Sequence, residues 1–145
     1  MSTRKSFSPT ADRTSARHLP ITPELAKQFM FATHGSLTAL RLAPNRPAFD
    51  QLAGTLNLVY VALRHAGGKS ETLESGMLAL QSVARRNDAG EPFAFIQDEL
   101  PRIEAALFAA EDHLPSFSID ALERAREHLR KLTRESITPK SVEPA

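Results

Sequence analysis

Apolar residues recur along this chain at three- and four-residue steps in five segments, each bounded by proline, glycine or serine. That period places them on one face of a helix, and almost no stretch between Thr22 and Leu132 alternates as a strand does. The pattern predicts an all-α bundle of about five helices over residues 22–132, between a basic arm (1–21) and a polar tail (133–145), both expected to be flexible.

The first helix opens at Thr22-Pro23-Glu24, with Thr22 as N-cap and Pro23 in the first helical position. Leu25, Phe29, Ala32, Thr33, Leu37 and Leu40 form its predicted stripe, and Pro44 stops it. The second runs from about Pro47 to Gly67-Gly68. Phe49, Leu52, Leu56, Val59, Tyr60 and Leu63 lie on one side, Leu58, Val61 and Ala62 on the other. An element apolar on most faces belongs in the middle of a bundle. Thr55 to Val61 also alternates like a strand, but the length and periodicity favour helix.

Ser70 caps the third helix, whose predicted stripe is Leu73, Met77, Leu80, Val83 and Ala84, with Arg85 and Arg86 near its negative end. The fourth carries Ile96, Leu100, Ile103, Leu107, Ala110 and Leu114. It starts near Asp98, so that Pro101 falls in the first turn, where no donor is lost. Ser118 caps the fifth, Phe117 and Leu122 take the two positions of a hydrophobic staple, and Ile119, Leu122, Ala125, Leu129 and Leu132 form its edge.

Composition narrows the function more by exclusion than by assignment. The 145 residues contain no cysteine, so disulfides and thiolate metal sites are out, and a reducing cytoplasm fits. The net charge is +1, unevenly placed. Arg4, Lys5, Arg13 and Arg17 face only Asp12 in residues 1–20, whereas the remainder holds 14 basic and 16 acidic side chains. The arm lacks the apolar run of a signal peptide, and the longest apolar run, Leu58 to Leu63, is too short to cross a bilayer.

No phosphate loop, nucleophile elbow or zinc-protease motif occurs. Gly67-Gly68-Lys69-Ser70 reads as a helix stop followed by a cap. No two of His18, His34, His65, His113 and His128 stand three or four apart, so a metal site would have to be built between helices. Glu123 and Glu127 sit among basic residues on a wet face, not in a buried dyad. The reading is therefore no catalytic residue, no cofactor and no metal, and no enzyme.

Two binding roles remain. The leading one is a protein-binding accessory or inhibitor module, with a homodimer as one form, using Phe93 and Phe95 in the third connection, Asn57 in the apolar second helix, and Arg85 and Arg86. The alternative is a DNA-binding regulator using the arm (Arg4, Lys5, Arg13, Arg17) with Arg124, Arg126, Arg130 and Lys131. Its contacts would be phosphate-directed and salt-sensitive. A helix-turn-helix aligned on Gly67 puts bulky Leu63 where a small residue is wanted.

The layout of His34-Leu37-Leu40, Phe49, Leu52, Leu56-Asn57, the Gly67-Gly68 stop, Ala79 to Arg86 before Gly90, Ile103, Leu107 and Ala121-Leu122 resembles that of small helical proteins. These come from proteobacterial plasmids, phages and integrated elements and are often labelled Fis-like transcriptional regulators. The resemblance spans about residues 22–132. It implies an accessory gene of a mobile element, with no mechanism attached.

Overall fold

Local hydrogen bonds fix where each helix begins. In a computed structural model describing residues 18–142, with side chains through Thr133, Thr22 Oγ1 accepts from the Leu25 amide (3.1 Å) and opens α1, Pro23–Leu42. Asn45 Oδ1 accepts from Ala48 N (2.9 Å) ahead of α2, Arg46–His65, one residue before the proline that the sequence pointed to. Ser70 caps α3, Glu71–Asp88, through Leu73 N, and α4 covers Glu99–His113 with Pro101 in its first turn, as expected. A 3-10 turn, Leu114–Ser116, precedes α5, Ile119–Val142, which Ser118 caps through Ala121 N (3.1 Å). The α5 backbone continues past Leu132, where the predicted stripe ends; its sequence meets no proline or glycine before Pro139.

The stops are equally chemical. Gly67 takes φ +80° and Gly90 φ +99°, a region costly for residues with a Cβ. Each lets the next amide reach back to the carbonyl three residues before the helix's end cap: Gly68 N to Leu63 O (2.9 Å) and Glu91 N to Arg86 O (3.0 Å). The fold is all-α, and among the described residues the only extended pairing is an isolated bridge between Pro20 and Ser118. With Ile21 N donating to Phe117 O (2.8 Å), it ties the chain's approach to α1 against the entry of α5.

Helix α2 packs against all four other helices, as its two-sided apolar pattern predicted. Leu52, Leu56 and Val59 are wholly buried and Leu58 and Ala62 nearly so. Each large aliphatic side chain withdrawn in this way contributes about 1.5–3 kcal/mol before entropy is counted. Thr33, the one buried hydroxyl of α1, is satisfied by Thr55 Oγ1 (2.8 Å) and Gln51 Nε2 (3.3 Å) on α2.

Several stripes differ from the predicted ones by one position. In α1 the buried residues are Ala26, Met30, Thr33, Leu37 and Leu40, while Leu25 and Ala32 are exposed. In α3 the tight positions are Gly76 and Ala79, with Met77 and Ala84 half-buried. Ile96, Ile119 and Leu132 also stand exposed. Period alone allows either neighbouring face. The small residues settled it, because α3 and α4 approach too closely for a side chain at position 76.

That approach leaves no room for even one methyl group. A Cβ on Gly76 would fall 2.2 Å from Ala106 Cβ and 2.8 Å from Arg102 O. Arg102 also bonds across this seam to Ser75, Nε to Oγ and Nη2 to the carbonyl, both at 2.9 Å.

Candidate partner-binding groove

Helices α1 and α5 both pack on α2 but barely meet each other. The space between them is an apolar groove made of two adjoining depressions that share Phe29 and Arg126. One, of about 470 Å³, is walled by Ile21, Leu25, Phe29, Ile119 and Leu122. The other, of about 400 Å³, is floored by Gly54 and Leu58 of α2, closed by Leu129 of α5 and edged by the polar Asp50, Gln51 and Thr55. Leu25 and Ile119 keep 40% and 37% of their surface in contact with water, an apolar rim without a mate among the described residues. The bare α-carbon of Gly54 deepens the floor: nothing lies within 4 Å of where its Cβ would be. The sequence contained part of this signal, since Leu25 and Phe29 belong to the α1 stripe and Ile119 and Leu129 to that of α5, but a stripe does not say which of its members lacks a neighbour.

The residues singled out from sequence lie elsewhere. Phe93 and Phe95 are half-buried over the core: Phe93 meets Phe49 edge-on with centroids 5.0 Å apart, and Phe95 meets Phe93 at 6.0 Å. Arg86 is bound internally. Its Nη1 and Nη2 donate to Glu99 Oε2 (2.6 Å) and Oε1 (2.7 Å), and Nη2 also reaches Ala94 O (3.0 Å). Glu99 is buried, and the Arg86 guanidinium, aided by the Ile96 amide (2.8 Å), holds its carboxyl below the usual carboxylate range against the opposing effect of burial. Arg86 and the Phe93–Phe95 connection thus come together, whereas Arg85 and Asn57 are exposed on α3 and α2.

Of the basic residues, Arg4, Lys5, Arg13 and Arg17 lie outside the described residues. On α5, Arg124 pairs with Asp120 and Arg130 with Glu127 (3.2 Å), Lys131 is exposed, and Arg126 edges the groove.

The remaining polar features are dispersed. His34 Nε2 meets Glu111 Oε1 at 2.6 Å under the partly exposed ring of Phe108. His65 of α2 faces His128 of α5, Nε2 to Nδ1 3.3 Å apart. Among the described residues no three His, Asp or Glu side chains converge. A cleft of about 610 Å³ at the α2–α3 turn is lined by Tyr60, Arg64, Lys69 and Glu74. It exceeds either depression in volume; Met77 and Leu78 give it an apolar side, the charged groups line the rest, and Arg64 already donates to the Tyr60 hydroxyl (2.9 Å). No described helix is long and apolar enough to cross a membrane. Comparison with protein-family models, with curated proteins and with solved structures gives no match.

Proposed function

We propose that this protein is a non-enzymatic, cytoplasmic accessory module that binds another protein by taking an amphipathic helix of that partner into the groove between α1 and α5. The observation that carries the proposal is the apolar rim of Leu25, Phe29 and Ile119 over a floor kept low by Gly54. Two helices diverging across a third leave a slot whose ridges accept residues at i, i+3, i+4 and i+7 of an incoming helix. Arg126, at the junction of the two depressions, stands with Asp50 at one edge and Glu123 at the other, so the polar flank of the incoming helix meets charge of both signs. An accessory or inhibitory role is in keeping with the resemblance to mobile-element proteins. Against the DNA-binding alternative, two of the four α5 cations it would use, Arg124 and Arg130, are matched by carboxylates one turn away.

Site-resolved photo-crosslinking tests this in the cells that express the protein. A photoreactive residue at Leu25 should capture a protein in a nuclease-resistant adduct, and the same residue at Thr72, exposed on α3, should not. Failure to capture at Leu25, equal capture at both sites, or capture abolished by nuclease would each overturn the reading. The last would restore the regulator.

A further inference from the structure

We infer that His65 and His128 form a bidentate site for a borderline divalent metal ion of the zinc class, clasping the C-terminal end of α2 to α5. The two side chains are far apart in sequence, and the packing of α2 on α5 brings His65 Nε2 to 3.3 Å from His128 Nδ1, with ring centroids 5.0 Å apart and planes inclined by 62°. Two imidazole nitrogens bound to one tetrahedral zinc at about 2.0–2.1 Å lie about 3.4 Å from each other. The separation is therefore the bite of a chelate. Ring centroids 5.0 Å apart are also close to the spacing of two imidazoles on one tetrahedral ion, about 5.2 Å from the same bond length.

The surroundings support a cation in one respect and oppose it in another. His65 is the last residue of α2, where unpaired carbonyls give the helix end a partial negative charge. Along α5, one turn to either side of His128, stand Arg124 and Lys131; Arg124 is turned to Asp120. Both histidines are exposed, so the site has an open path and room for water to complete the coordination shell. Imidazole donors select zinc, copper and nickel over magnesium and calcium, which require oxygen. Without an ion, the pair shares one N–H between its two facing nitrogens. Metal binding moves that proton to the other nitrogen of the donor ring, so that both imidazoles stay neutral and both facing lone pairs are free.

The test uses zinc alone with the full, untagged chain at neutral pH. Calorimetric titration should give one zinc per chain at micromolar ion, and His65→Gln or His128→Gln should weaken binding by at least about tenfold. His34→Gln and His113→Gln should leave it unchanged. Imidazole 15N spectra should show zinc shifting His65 Nε2 and His128 Nδ1, a signature that a merely structural hydrogen bond would not produce. Both residues are exposed, so the glutamine variants should stay folded by circular dichroism. Absence of zinc binding, binding that survives both single substitutions, or perturbation confined to other histidines would overturn the site.

Discussion

The α3–α4 seam and the α1–α5 seam are built from the same helical material and end in opposite states. At the first, Gly76, Ala79 and Ala106 bring two backbones together, and Arg86 clamps Glu99 across the end, so no space is left. At the second, Leu25, Phe29, Ile119 and Leu129 line a gap, and both helices rest on α2 instead. Small residues at positions 76, 79 and 106 permit the closed seam, and no such set lines the open one.

The comparison breaks most visibly at the closed seam. Gly76→Ala should destabilise the fold by about 1–3 kcal/mol, because the added methyl meets backbone that cannot swing aside. A lowered urea midpoint with unchanged slope reads this directly. Glu99→Gln should come next, removing the carboxylate while leaving the Arg86 charge in place. Because the folded-state pKa of Glu99 is depressed, its contribution is complete above the ordinary carboxylate range and lost as pH falls through the lowered value. Wild type and variant should therefore differ at pH 7 and converge in acid, as denaturation curves along a pH series would show. Equal separation at every pH would mean that the pair is not the cause.

The open seam should respond in the other direction. Gly54→Ala places a methyl in empty space within a helix and should raise stability by about 0.5–1 kcal/mol, the reverse of the same change at Gly76. Leu25→Ser, on the rim, should move the thermal midpoint least, within about 0.5 kcal/mol, while abolishing partner capture.

Helix number, order and most boundaries were legible in the sequence because caps and stops are local chemistry. Thr22, Ser70 and Ser118 bond to amides three residues on, and Gly67 and Gly90 take a backbone shape that others resist. Phe117 and Leu122 are both buried, as a staple requires. What sequence could not supply were facts about pairs of helices. A 3.6-residue period leaves the stripe of α1 free to turn by one residue, so Leu25 was expected inside and Ala26 and Met30 took its place. The burial of Gly76, the Arg86–Glu99 clamp and the meeting of His65 with His128 each depend on which helices become neighbours. Phe93 and Phe95 looked like binding residues because they sit in a connection, yet Phe49 needed covering.

The position of α2 beneath the groove has a practical corollary. The helix that floors the open slot is also the keel on which every other helix rests. An occupant pressing on Gly54 and Leu58 therefore braces the structure shared by the whole molecule, and its binding energy adds to the global resistance to unfolding. Melting temperature alone, read without a label anywhere on the protein, would then report the arrival of the right helix.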